Sequence, residues 1–320
     1  MVIQDWLAEK KINLLSFDSS TLADYANCPR YHFFRTVMGF TKPNWHLMFG
    51  AAWHWAMKVM LKSNRYDAST LTQAVTAFTT KFTEELGAAN VGWDYFPERV
   101  TKIKDPGRVL DFLVEYAEEH KTDQDLLLPY INHNMLEVHG SVPIANDKLM
   151  YYRLDAVAEL PGDCATVIDH KTGTQLSSNW AEQWEHSLQI TLYFYVMQSM
   201  FHRWAKALIN GAIFRTNDST YPRCVVTKSI EQLELWLSSV NHLVKQLEVD
   251  VAMLNEAKES DLVMHCFYPT QSGSGCSSYG GCRYNDICLA WTNPLQHLNE
   301  IPSGYIVRFW DPRATEERIA

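Results

Sequence analysis

The strongest constraint on this chain is a change of hydrophobic period near residue 130. From Trp45 to about Leu128 apolar residues recur three and four apart, as in Phe49–Leu61 and Leu71–Leu86, which predicts helices with one packed face. Asn90–Pro97 interrupts them as an aromatic loop. The pattern then becomes alternating or β-rich over Met135–Ile144, Leu149–Leu160 and Ala165–Lys171, with turn signals at Ala145–Lys148 and Pro161–Asp163. Three adjacent antiparallel strands are the simplest arrangement. Trp180–Trp204 reads as helix again. Gly211–Arg215 and Arg223–Thr227 read as two strands around a turn at Asn217–Pro222. Strands bracketed by helices predict an α/β fold with a mixed central sheet.

The flanks add shorter elements. Ser19 or Ser20 caps a helix carrying Leu22 and Tyr25, and Pro29 suits the start of a second. Ser229–Lys258 is a long helix opened by a Ser229/Gln232 capping box. Its expected buried stripe is Leu233, Trp236, Val240, Leu243, Leu247, Val251 and Leu254. After Phe267 the chain is rich in Gly, Ser and Cys, and it closes on an apolar segment, Ile301–Trp310. There is no internal repeat and no phosphate-binding GxxxxGK[ST] loop.

With 320 residues and 47% apolar content, one large domain is expected. Met1–Lys11 carries no secretory signal pattern, and no run approaches 18 apolar residues, so no membrane span and an intracellular setting are expected. Seven cysteines, an odd number, then read as reduced thiols or metal ligands rather than a disulfide framework. A net charge of −9 weighs against a nucleic-acid partner without excluding one. A local basic groove suffices, and carboxylates at a metal site add negative charge of their own. Arg30, Arg35, Lys58, Lys62, Arg65, Lys102, Lys104 and Arg108 are candidate phosphate contacts; Trp53, Trp55, Trp93, Tyr95 and Phe96 are candidates for base stacking, although each also suits a core or surface role.

Two segments carry chemistry: Tyr152-Arg153-Leu154-Asp155 on the second strand and Ile168-Asp169-His170-Lys171-Thr172-Gly173 on the third. Residues two apart on a strand share a face, so Asp169 and Lys171 project together and His170 points away. A turn after Leu160 would set Asp155 beside Asp169. Two carboxylates next to a lysine suit a hard divalent cation and a phosphate-directed amine. A D-x-K triplet alone more often marks an ordinary solvated ion pair.

The surroundings separate these readings. In order, the chain carries Cys28-Pro29-Arg30, Gly50-Ala51-Ala52-Trp53-His54, Arg153-Leu154-Asp155, Asp169-His170-Lys171-Thr172, Gln189-Ile190-Thr191-Leu192-Tyr193, and Cys276, Cys282 and Cys288. This series resembles the RecB/AddB branch of the PD-(D/E)XK nucleases, which includes small CRISPR-associated and phage exonucleases. The resemblance implies a restriction-endonuclease-like core over 131–228, a helical insert over 45–130 and a C-terminal segment over 229–300 that joins Cys28 in an iron–sulfur site, all within one nuclease domain, 1–320. It implies Mn²⁺ or Mg²⁺ held by His54, Asp155, Asp169 and the main-chain oxygen of His170, with Lys171 as catalytic lysine. Glu137 would serve a second ion or its water, and Gln189, Tyr193 and Arg30 would lie near the substrate. Cys28, Cys276, Cys282 and Cys288 would hold a [4Fe–4S] cluster.

Several departures and alternatives remain open at this level. Tyr152-Arg153 replaces the glycine that the family carries before the strand aspartate as G-x-[IL]-D. Cys276 and Cys282 are spaced more widely than in many relatives, and Cys266 is a substitute candidate. Free thiols or a Cys₄ zinc site also fit the cysteines, while Cys164 and Cys224 read as core residues. The implied activity is hydrolysis of single-stranded or end-bearing DNA in recombination, repair or phage processing, from a bacterial or phage source, with a partner in a recombination or phage complex. A catalytically silent, cluster-stabilised DNA-binding or assembly subunit is the alternative.

Overall fold

The structure is a computed structural model that describes all residues except 1–2, 11–12, 146–147, 163, 271–273, 278–280, 310–311 and 314–320. Asn146, Asp147 and Asp163 of the two expected turns, and Trp310 of the closing apolar segment, lie outside the described residues. By contact density the chain divides into two units. One comprises 1–43, 143–151 and 234–318; the other is built from 44–142 and 152–233.

The second unit is organised on a mixed sheet. Strand Ile131–Ala145 pairs with Lys148–Ala158, which runs antiparallel to Ala165–Gly173 with Ala156 opposite Ile168. Ala165–Gly173 is parallel to Ala205–Phe214 over nine positions, and Ala205–Phe214 is antiparallel to Ser219–Thr220 and Arg223–Val226. Helix Leu188–Phe201 connects the two parallel strands. This is the α/β arrangement expected, a mixed sheet flanked by helices.

The helical stretch forms a paired layer. Helix Trp45–Lys62 is capped by Asn44, whose Oδ1 accepts from the Leu47 N–H at 3.1 Å, and it packs on helix Ala68–Ala89. Phe49 joins Phe78, Phe112 and Phe214 edge to face, at centroid separations of 4.9, 6.4 and 5.1 Å. A second apolar cluster, with Leu61, Leu128, Ile131, Ala156 and Ile168, fills the space by the strands. Trp53 is fully buried on Phe214 and Tyr116, and Phe96 is buried on Trp45, so neither can stack on a base. Trp93 and Tyr95 stay exposed.

The first unit begins with helix Ile3–Glu9, then strand Phe17–Asp18, parallel to Met150–Tyr151, and helix Ser19–Asn27. The cap is Asp18 rather than Ser19 or Ser20: its Oδ1 accepts from the Thr21 N–H at 2.8 Å, and Thr21 Oγ1 accepts from the Asp18 N–H at 2.9 Å. Thr21 returns the bond that makes the pair reciprocal, which fixes the start one residue early. Pro29 opens helix Pro29–His32 as expected. Strand Phe40–Thr41 pairs antiparallel with Ile306–Val307.

Helix Ile230–Glu256 opens with the expected capping box: the Ser229 N–H donates to Gln232 Oε1 at 2.9 Å and the Gln232 N–H to Ser229 Oγ at 3.3 Å. Its buried stripe contains Leu233, Trp236, Val240, Leu247 and Leu254 as read, but Val244 and Asp250 take the buried places assigned to Leu243 and Val251. Asp250 is buried because it accepts from Tyr25 Oη at 2.7 Å and from the Phe267 N–H at 3.0 Å. Cys164 and Cys224 are half-buried instead of core residues. Among the described residues, no helix is long and apolar enough to cross a membrane.

Candidate active site

The antiparallel register places Asp155 one step from Ala156↔Ile168, directly opposite Asp169. The His170 N–H donates to Asp155 Oδ2 at 3.0 Å, which pins that carboxylate to the neighbouring strand. From helix Trp45–Lys62, His54 Nδ1 meets the same Oδ2 at 3.1 Å, leaving Nε2 as its other nitrogen. Gly50, one turn earlier, makes the approach feasible: a Cβ there would lie 3.0 Å from Thr172 Oγ1.

Lys171 follows Asp169 by two residues on strand Ala165–Gly173, on the same face. Its Nζ is 2.8 Å from Asp169 Oδ2 and donates to Asp169 Oδ1 at 3.1 Å and to Gln189 Oε1 at 2.7 Å. Gln189 Nε2 donates to Tyr193 Oη at 2.7 Å, and Tyr193 Oη donates to Asp169 Oδ1 at 3.1 Å. Gln189 and Tyr193 are one helical turn apart, so helix Leu188–Phe201 presents both to the strand end. Trp184 lies under the amine, its ring centroid 5.6 Å from Nζ.

Glu137 reaches the same field from strand Ile131–Ala145. Its Oε2 accepts from Arg153, through Nε and Nη2. Its backbone is left-handed, at φ +57°, which a non-glycine residue adopts at a steric cost. Lys58 stands nearby with its ammonium 4.8 Å from the Trp55 ring centroid.

Burial and mutual charge polarise these groups. Burial pushes the Asp155 carboxyl up, but the His54 imidazole and its hydrogen bond outweigh that and hold it below the usual carboxylate range. Burial pushes His54 down, and Asp155 more than offsets it, so the imidazole lies above its ordinary value. Asp169 is held up by burial, against Lys171 and reinforced by Asp155. Glu137 is raised by burial and by Asp155, against the pull of Arg153. Burial drives the His170 imidazole down to about 3, so its ring is neutral.

The structure brings His54, Glu137, Asp155, Asp169, Lys171, Gln189 and Tyr193 together, and the His170 main chain joins them through its N–H on Asp155. Among the described residues, no three His, Cys, Asp or Glu side chains are gathered closely enough to enclose a metal ion. Each carboxylate instead leans on a cationic neighbour: Asp169 on Lys171, Asp155 on His54, Glu137 on Arg153. The donor set still fits a hard divalent cation by its chemistry: two carboxylates at facing strand positions, with an imidazole on one of them.

Two expectations fail. Arg30 is no surface phosphate contact: it is buried, and its Nε donates to the Phe267 carbonyl at 2.9 Å. Lys104 is also buried, donating to Thr172 Oγ1 at 2.8 Å. Both found uncharged oxygen acceptors in their own units, which charge counting does not foresee. Sequence reading also missed Arg153 as the partner of Glu137, since Arg153 falls on the unconstrained position of the strand motif.

The sequence profile of the PD-(D/E)XK nuclease superfamily matches residues 17–289. The chain belongs to that superfamily. Among solved structures, this nuclease is similar to a candidate exonuclease from Eubacterium rectale, at 11% identity over 87% of this chain and 88% of that one, with a TM-score of 0.48. It is also similar to a protein named SSO0001, at 12% identity over 47% of this chain and 63% of the other, with a TM-score of 0.27. No curated protein matches it by sequence.

Proposed function

We propose that this nuclease is a divalent-metal-dependent DNA exonuclease of the RecB/AddB-like iron–sulfur branch, acting on single-stranded or end-bearing DNA. The observation that carries the reading is the placement of Lys171 Nζ, 2.8 Å from Asp169 and 2.7 Å from Gln189, with Asp155 across the strand pair and His54 upon it. His54, Asp155 and Asp169 would hold Mn²⁺ or Mg²⁺, with the His170 main chain beside them. Bound there, the cation supplies Lewis acidity and makes a water more acidic. Lys171 directs its amine at the phosphate and is kept in place by Gln189 and Tyr193. Exposed Trp93 and Tyr95 are suited to stack on unpaired bases.

We further propose that 131–228 forms the nuclease core with 45–130 as its helical insert, and that 229–300 with Cys28 forms the cluster segment. Four thiolates are what a [4Fe–4S] cluster requires. The donor chemistry in the first unit fits. Burial raises the Cys282 and Cys288 thiols, and Cys28 and Cys276 act on both electrostatically. The Cys282 N–H donates to the Cys276 carbonyl at 2.8 Å. Buried Arg30, which has no carboxylate partner among the described residues, lies in the field of Cys28, Cys266 and Cys288. When bound, the cluster supplies a cross-link between the start and end of the chain.

The test is cleavage of end-labelled single- and double-stranded DNA with Mn²⁺ by anaerobically prepared protein. Asp169→Ala and Lys171→Ala should abolish cleavage and keep DNA binding. Binding without cleavage by the wild type would leave a non-catalytic DNA-binding subunit; undiminished cleavage by both variants would place the chemistry elsewhere.

A further inference from the structure

We infer that Arg153 is the resident cation of the Glu137 side of the site, and that this chain therefore takes one divalent ion rather than two. The inference rests on the metal-dependent reading above and adds to it a stoichiometry and the residue that sets it.

The argument begins with position. Arg153 and Asp155 are two apart on strand Lys148–Ala158, so their side chains leave the same face of the sheet. Glu137 comes from the strand paired alongside. It is the acidic group placed to serve a second ion, since Asp155 and His54 both act on it electrostatically. Yet Glu137 Oε2 is taken by two nitrogens of one guanidinium. A guanidinium does not give up its proton in a protein. An ion arriving at Glu137 would have to displace a fixed positive charge or sit against it, and like charges in a half-buried site repel strongly.

The backbone supports the same assignment. Glu137 lies in the middle of a strand with φ +57°, a conformation that interrupts the regular pleat. The local cost is met where the side chain is held by a specific partner, and the partner in place is Arg153. Lys58 adds positive charge beside the pair: burial lowers its amine, Glu137 holds it up, and Arg153 opposes it. The Glu137 side is thus already furnished with cations from the chain itself. In two-ion nucleases a second ion stabilises charge on the phosphate; here a fixed guanidinium stands in the place where that charge would be met.

The experiment is isothermal titration calorimetry of Mn²⁺ into the full-length protein, counting ions per chain. Wild type should bind one. Arg153→Gln, which frees the carboxylate and roughly keeps the volume, should bind two. Arg153→Lys, which keeps the charge, should bind one. Two ions in wild type, or one in Arg153→Gln with the first ion bound as tightly as in wild type, would overturn the inference; retention of that first ion also shows that the variant is folded. No ion in wild type would remove the metal-dependent reading itself, and this inference with it.

Discussion

Lys104 Nζ donates to Thr172 Oγ1 at 2.8 Å, so a buried amine is tied to the residue that follows Lys171. The His46 carbonyl is its other acceptor, at 3.4 Å, and the Phe49 and Phe214 rings lie 5.7 and 6.0 Å away. Burial drives this amine from an ordinary 10.5 down to about 7. Below about pH 7 it is protonated in both folded and unfolded chains, and the folded state bears the whole cost of burying the charge. Between pH 7 and 10.5 the unfolded chain holds the extra proton, so raising the pH favours the folded state. Wild type should therefore gain thermal stability relative to Lys104→Met as pH rises from 7 to 10. Melting curves of the two proteins at matched pH check this; parallel curves would mean that the amine keeps its charge in the fold.

Thr172 is also the neighbour that keeps position 50 a glycine. A Cβ at Gly50 would stand 3.0 Å from Thr172 Oγ1, tighter than most real contacts. Gly50→Ala should be close to neutral, because a helix gains about 1 kcal/mol from losing glycine while the contact costs a similar amount. Gly50→Val adds two methyls without that gain and should destabilise by roughly 1–3 kcal/mol. Adding Thr172→Ala to Gly50→Val should restore part of the loss, giving a coupling of order 1 kcal/mol. Urea denaturation of the four proteins measures it, and strict additivity would show that the helix escapes the contact by shifting.

Gln189 stands between the two groups that grip Asp169. It accepts from Lys171 and donates to Tyr193, both at 2.7 Å. Gln189→Leu keeps the helix and removes both bonds, leaving the amine held by Asp169 alone. Loss of orientation at a reacting group costs roughly 10- to 100-fold in rate. The expected result is a fall in kcat of that order, with little change in DNA affinity or melting temperature. A fall in affinity with kcat unchanged would instead mark Gln189 as a substrate contact.

Why some of this was legible follows from the physics of each segment. Strand Lys148–Ala158 is readable because buried and part-exposed positions alternate along it, so period two survives in the sequence; Ala165–Gly173, buried through its first six residues, is readable from its β-branched run and the turn signals before it. Strand Ala205–Phe214 is legible only from Gly211, because its first half, Ala205–Asn210, is short and apolar enough to suit helix or strand; the helix expected over Trp180–Trp204 stops before it, at Phe201. That helix forms only from Leu188, where Ser187 Oγ accepts from the Ile190 N–H at 3.3 Å, since Glu182–Trp184 manages a single turn. At the site, Asp155, Asp169 and Lys171 were visible because strand geometry fixes which residues share a face. The Glu137–Arg153 contact, the buried amine of Lys104 and the buried guanidinium of Arg30 depend on which oxygens the tertiary fold brings near, and no local pattern carries that.

The same distinction decides between two cysteines. Cys266 and Cys276 were both candidates for the fourth thiol, and spacing alone could not choose. In the fold, Cys276 acts electrostatically on both Cys282 and Cys288, as Cys28 does. Cys266 is instead buried, its thiol pushed up to about 12 by burial and by Asp250. Cys276 by contrast is exposed and open to an incoming iron. Cys276→Ser should therefore lose iron and the broad absorbance near about 400 nm that accompanies an iron–sulfur cluster. Cys266→Ser should retain both, with at most a modest loss of stability. Iron and sulfide analysis of anaerobically purified proteins checks the pair, and the opposite pattern would assign the ligand to Cys266.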